Sequence, residues 1–100
     1  GLIMDYSKDI LKQCTECLTK ELPVLRKMNN LTQKKLGEII GVSRQTITNI
    51  ENKKTEMKWS QFLALMFIFS LDHNSSEYLK RINIPYEELK KWLYEKRGEI

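Results

Sequence analysis

LTQKKLGEIIGVSRQTITNIEN, residues 31–52, is the stretch whose reading decides the fold. Thr32 is a good helix N-cap, and Leu31 before it can pack on Leu36 four positions into the helix as a hydrophobic staple. Leu36, Ile39 and Ile40 give this helix a buried stripe, and Gly41 supplies a left-handed end. The pattern then repeats. Ser43 caps, Val42 staples to Ile47, and Ile47 and Ile50 turn inward. Two helices joined by a turn of about three residues containing Gly must cross steeply. The stretch reads as a helix-turn-helix.

Outward from it, no segment alternates with period two, so the chain reads as all-α. Residues 5–20 place Ile10, Leu11, Cys14, Cys17 and Leu18 on one helical face. Pro23 lacks an N–H and suits a first turn, which predicts a break or kink near Lys20–Leu22 and a second helix ending at Asn29-Asn30. WSQFLALMFIFSL, residues 59–71, is apolar nearly all round and predicts a central helix buried on several sides. Asn74 with Glu77 suggests the cap of a short helix to about Asn83. After Pro85, a last helix carries Tyr86, Leu89, Trp92 and Leu93 on one side and closes at Gly98. The expected architecture is one domain, a bundle of about five core helices over residues 22–71, extended by helices at 5–20 and 74–97.

Bulk properties limit the function. One hundred residues leave no room for a separate catalytic half, while 41% hydrophobic and 30% charged residues suit a folded domain. The longest apolar run, Phe62 to Leu71, is about half of the roughly 20 residues that span a bilayer. The first residues lack a basic segment followed by an apolar core, and Met4 is the expected natural start. A cytoplasmic protein without membrane contact is expected. The net charge is +4, and the excess is concentrated: residues 26–58 carry eight bases and three acids. Such a cluster either attracts polyanions, chiefly nucleic acid, or is a solvated Lys-rich face.

Catalytic and metal chemistry find little support. Cys14-Thr-Glu-Cys17 is a C-x-x-C, but tetrahedral zinc needs four ligands and the only His, His73, is distant in sequence. A thioredoxin-like dithiol would need a βαβ context. Both Cys fall on the apolar face and read as buried free thiols. His73, beside Asp72 and a cap, reads as a loop residue. No nucleophile–base pair, phosphate loop or paired carboxylates are visible. No enzyme activity, metal or cofactor is expected.

The chemistry sits in SRQTITNIEN, residues 43–52. Arg44, Gln45, Thr48, Asn49 and Asn52 fall within about 140° of one another on a helix, with Ile47 and Ile50 opposite. The exposed stripe is therefore guanidinium, carboxamide and hydroxyl rather than Glu and Lys. Those groups read base edges, Arg at guanine and Gln or Asn at adenine. Lys53 and Lys54 follow at the helix end, where a phosphate could lie.

LRKMNNLTQKKLGEIIGVSRQTITNIENKK, residues 25–54, resembles the DNA-binding domain of phage-repressor and Cro-type helix-turn-helix regulators, the XRE-like family. The likeness covers about residues 22–71: Thr32-Gln33 opens the first motif helix, Gly41-Val42 makes the turn, and Ile47 and Ile50 point inward. It implies base contacts at Arg44, Gln45 and Asn49, and the helical stripe adds Thr48 to the expected base-reading set. It also implies DNA-backbone contacts at Gln33 and Ser43; with Thr32 at the first helix start and Asn52, Lys53 and Lys54 at the end of the second, these are the expected backbone-contacting residues. A partly buried ion pair between Arg26 and Glu51 is implied as well. Two positions depart from the family pattern. Gly37 stands where the family usually has Ala, at a helix cost of roughly 0.5–1 kcal/mol. Lys53 stands where Gly is common, so either Asn52 takes the left-handed conformation or the turn differs.

The resemblance implies a sequence-specific transcriptional regulator, expected to be a repressor, binding a pseudo-palindromic double-stranded operator as a homodimer. The alternatives are an antitoxin-like or adaptor module with the same motif, and an accessory domain of an enzyme. The expected pairing surface is the C-terminal segment, with Tyr78, Leu79, Ile82, Tyr86, Leu89, Trp92 and Leu93. Folding of Trp92 and Leu93 back onto the N-terminal helix is the competing reading.

Overall fold

The computed structural model describes residues 6–98, so Met4 lies outside the described residues. Six helices follow one another: α1 (Tyr6–Met28), α2 (Gln33–Ile40), α3 (Arg44–Glu51), α4 (Trp59–Ser70), α5 (His73–Arg81) and α6 (Tyr86–Arg97). The described residues contain no strand. The fold is a λ-repressor-like all-α bundle, in keeping with the resemblance to phage repressors, with α2 and α3 packed closely and α1 touching α3, α4, α5 and α6.

The break expected at Lys20–Leu22 is absent, and with it the separate N-terminal extension: α1 runs through Pro23 without interruption. A mid-helix proline removes one hydrogen bond and crowds the carbonyl of Thr19, costing about 3 kcal/mol. Cys14, Leu18, Leu22 and Leu25 form one stripe across the proline, each completely buried. Each buried Leu contributes about 1.5–3 kcal/mol, so three of them outweigh the proline. Tertiary burial overrides the local signal.

Three helix ends use the same device. After α1, Leu31 N–H reaches the Arg26 carbonyl at 3.1 Å and Asn30 N–H the Lys27 carbonyl at 3.0 Å. After α2, Val42 N–H bonds the Gly37 carbonyl at 2.8 Å, and after α3, Lys54 N–H bonds the Asn49 carbonyl at 2.8 Å. Each closure requires one left-handed residue, and these are Asn30 (φ 55°), Gly41 (φ 81°) and Lys53 (φ 60°). Asn and Gly tolerate that conformation, whereas Lys does so at a cost. Asn52 keeps φ −85°. The strain therefore falls on Lys53 and not on Asn52.

The start of α5 and the apolar faces of α2 and α4 also differ from expectation. Asp72, not Asn74, caps α5, its carboxylate accepting from the N–H groups of Asn74 and Ser75. His73 is thereby the first residue of that helix and not a loop residue. Ile39 is 48% exposed, because Leu36 and Gly37 already face the neighbouring helices and a short helix buries only a narrow stripe. In α4, Phe62, Leu65 and Phe69 enter the core, but Leu63, Phe67 and Leu71 stand 51%, 63% and 68% exposed. The helix is buried on one side and open on the other.

The C-terminal apolar residues are mostly spent inside the molecule. Leu79 is buried, and Tyr78, Ile82 and Leu89 pack against the core. The Tyr78 hydroxyl donates to Glu21 at 2.6 Å, and Tyr86 donates to the Leu79 carbonyl at 2.9 Å. Trp92 meets Trp59 edge-on at 6.0 Å, and Trp59 stacks on Phe62 at 4.8 Å. Helix α6 buries no residue completely, and Leu93 stays about half exposed, since α1 covers only a narrow ridge of it. The face expected for pairing therefore serves chiefly to fold the chain.

Candidate nucleic-acid interface

The interface is built from the starts of α2 and α3 and from the end of α3. Thr32 Oγ1 accepts from Lys35 N–H at 3.0 Å, and Ser43 Oγ accepts from Thr46 N–H at 3.1 Å. Leu31 and Val42 pack against the core that holds Leu36 and Ile47, which fixes how the chain enters each helix. The turn Gly41-Val42-Ser43 brings the two helices so close that a Cβ on Gly37 would stand 2.7 Å from the Val42 carbonyl oxygen. No side chain fits there without a shift of backbone. That contact explains Gly at a position where Ala would make the better helix.

A polar network ties α3 to the helices behind it. Arg26 Nε donates to Glu51 Oε2 at 2.7 Å and Arg26 Nη2 to Glu51 Oε1 at 3.1 Å. The side chains of the pair are only 13% and 6% exposed. A third guanidinium nitrogen, Nη1, donates to the Leu31 carbonyl at 2.9 Å, bracing the α1–α2 turn. Gln33 Nε2 donates to Glu51 Oε1 at 3.0 Å, and the Thr48 hydroxyl donates to Gln33 Oε1 at 2.8 Å. Four side chains from α1, α2 and α3 thus form one chain of hydrogen bonds. It sets the angle at which α3 is presented.

This network redistributes the residues singled out in the sequence. Thr48 and Gln33 are half-buried and hold each other, so both act first on helix placement. Thr48 has given its only proton to Gln33 and keeps lone pairs; Gln33 keeps one amide hydrogen for an outside acceptor. Arg44, Gln45, Asn52, Lys53 and Lys54 are exposed, and Asn49 is half-buried beside them. Gln45 Nε2 donates to Asn49 Oδ1 at 2.9 Å. That leaves Gln45 with its oxygen and one hydrogen, one acceptor and one donor, the pair that an adenine edge requires. Lys34, which the sequence reading passed over, shares a shallow depression with Thr32, Gln33 and Arg44 where α2 and α3 begin. The only available signal for it was the local excess of bases.

Other chemistry is sparse in this surface. Among the described residues no group of three or more His, Cys, Asp or Glu could hold a metal ion. Cys14 and Cys17 are free thiols, away from the stripe, and burial pushes the Cys14 thiol up to about 11. No helix of the described residues is long and apolar enough to cross a membrane.

Comparison with known proteins agrees with this geometry. The helix-turn-helix family matches over residues 25–57, from the end of α1 to the loop before α4. No curated protein and no solved structure gives a match. The matched segment contains the capped α2–turn–α3 unit, Arg26 and Glu51, and every exposed polar residue of α3. Over residues 25–57 the chain therefore matches a helix-turn-helix of the XRE or phage-repressor type, a family of DNA-binding regulators.

Proposed function

We propose that this protein is a cytoplasmic transcriptional repressor that lays α3 in the major groove of a pseudo-palindromic operator and acts as a pair of copies. The observation that carries this reading is the exposed face of α3, where Arg44, Gln45 and Asn49 stand together with no carboxylate among them. Arg44, Gln45 and Asn49 read bases, and Thr48 reaches a base edge only through its lone pairs. Thr32, Gln33 and Ser43 meet one phosphate strand, and Asn52, Lys53 and Lys54 meet the other side of the groove. One α3 touches only a few base pairs, too few for selective binding at cellular salt, so two half-sites about 34 Å apart are needed.

Selection of binding sequences from a random duplex library, followed by titration of the winner, tests this. Gln45→Ala should weaken the selected site by about 1–3 kcal/mol and relax one base position. Lys54→Ala should weaken all sequences alike and lower the salt slope by about one. Equal loss of specific and non-specific binding on Gln45→Ala would show that Gln45 does not read bases.

A further inference from the structure

Helix α4 presents an apolar stripe that the fold leaves open. Leu63, Phe67 and Leu71 are 51%, 63% and 68% exposed and recur every four residues. Leu71 caps the helix but keeps right-handed helical angles (φ −77°, ψ −27°), so the stripe continues through it. The only exposed polar neighbours on this helix are Ser60 and Ser70. We propose that this face pairs with the same face of a second copy, across a two-fold axis at Phe67. The proposal rests on the paired DNA-binding reading above and supplies its contact surface.

Three features select a second copy as the occupant. The first is charge. The chain carries +4 with its excess in residues 26–58, so two copies repel where those basic segments meet, whereas residues 59–71 contain no Asp, Glu, Lys or Arg. Helix α4 is the one described helix without a charged residue, so the contact between the two helices themselves sets no like charges together. The second is register. An isologous contact needs a self-complementary surface, and Leu–Phe–Leu reads alike in both directions. Antiparallel α4 helices place Phe67 on Phe67 and Leu63 on the partner's Leu71. The third is area. With about 200 Å² for a fully exposed Leu or Phe, the stripe offers roughly 350 Å² per copy, the size of a typical monomer's largest apolar patch. Twice that is below the roughly 1,200 Å² of a stable interface, so the free pair is weak and concentration-dependent. The stripe shares no residue with the face of α3, and both copies keep their DNA-reading side chains free.

Sedimentation of the full chain tests the proposal. Wild type should shift from monomer towards dimer over roughly 10–500 µM. Phe67→Glu and Phe67→Lys should each remain monomeric, because each sets like charges together on the axis. An equimolar mixture of the two should pair again. Tyr94→Glu, on the exposed side of α6, should behave as wild type. Should the charged variants fail to fold by circular dichroism, Leu71→Ser should weaken pairing about tenfold or more. Wild type monomeric at about 500 µM overturns the proposal and leaves the face to a different protein. Dimers that persist in Phe67→Glu, or a mixture that stays monomeric, overturn it equally. Anisotropy titration of a random-sequence duplex of about 24 base pairs, two helical turns, at low salt keeps the two readings apart. Phe67→Glu should bind it as wild type does under conditions where both are monomeric. Failure of wild type itself to bind would refute the DNA reading and leave the sedimentation result intact.

Discussion

Replacing Glu51 by alanine should be among the most damaging single changes in the matched segment. It removes the acceptor for Arg26 Nε (2.7 Å), Arg26 Nη2 (3.1 Å) and Gln33 Nε2 (3.0 Å). Arg26 is then left 13% exposed with one remaining partner, the Leu31 carbonyl. Stranding a buried charge in this way costs about 3–5 kcal/mol, whereas an exposed pair would cost only about 0–1 kcal/mol. Against a total stability of about 5–15 kcal/mol the loss is large. For a chain of this size it corresponds to a drop in melting temperature of about 15–25 °C. Urea denaturation followed by circular dichroism measures it directly. The double variant Arg26→Met/Glu51→Leu removes both charges and should lose less than Glu51→Ala alone. A loss below about 1.5 kcal/mol for Glu51→Ala, or a double variant worse than the single, would refute the buried-pair argument.

Gly37→Ala should destabilise by about 1 kcal/mol, since the helix gains about 0.5–1 kcal/mol while the contact with the Val42 carbonyl forces a shift costing about 1–3 kcal/mol. A raised melting temperature would contradict it. Lys53→Gly should stabilise by about 0.5–1 kcal/mol by relieving the left-handed conformation. If Lys53 meets a phosphate, the same change should lower the salt slope of DNA binding by about one. The folded protein keeps the Cys14 proton up to about pH 11, while the unfolded chain releases it near the ordinary value of 9.0. Stability should therefore fall as pH rises between those values, with no contribution from Cys14 below them. A thiol reagent at pH 8 should modify half-buried Cys17 before Cys14, with Cys14 reacting only on unfolding.

The motif was legible because its signals are local. Thr32, Ser43 and Gly41 act on the backbone beside them, and their spacing alone specifies two short helices and a tight turn. The Pro23 and Asn74 readings failed because those signals compete with something non-local: the Leu18–Leu22–Leu25 stripe in one case, a better acceptor at Asp72 in the other. The exposed side of α4 was invisible for a different reason. A helix apolar all round gives no hint of which side lacks a neighbour. At the interface, the stripe of α3 follows from helical geometry, but the capture of Thr48 by Gln33 does not. It depends on where α2 lies, and no periodicity encodes that.

The hydrogen bond from Gln45 to Asn49 has a kinetic consequence. A glutamine on a surface helix samples several rotamers, and fixing it costs up to about 1.5–2 kcal/mol when a ligand arrives. Here the amide plane is held before contact, so much of that ordering belongs to folding and not to recognition. A pre-aimed amide samples fewer wrong hydrogen bonds and leaves a mismatched base quickly, while the matched base is retained. Asn49 can thus sharpen discrimination at the base pair under Gln45 without touching that pair itself.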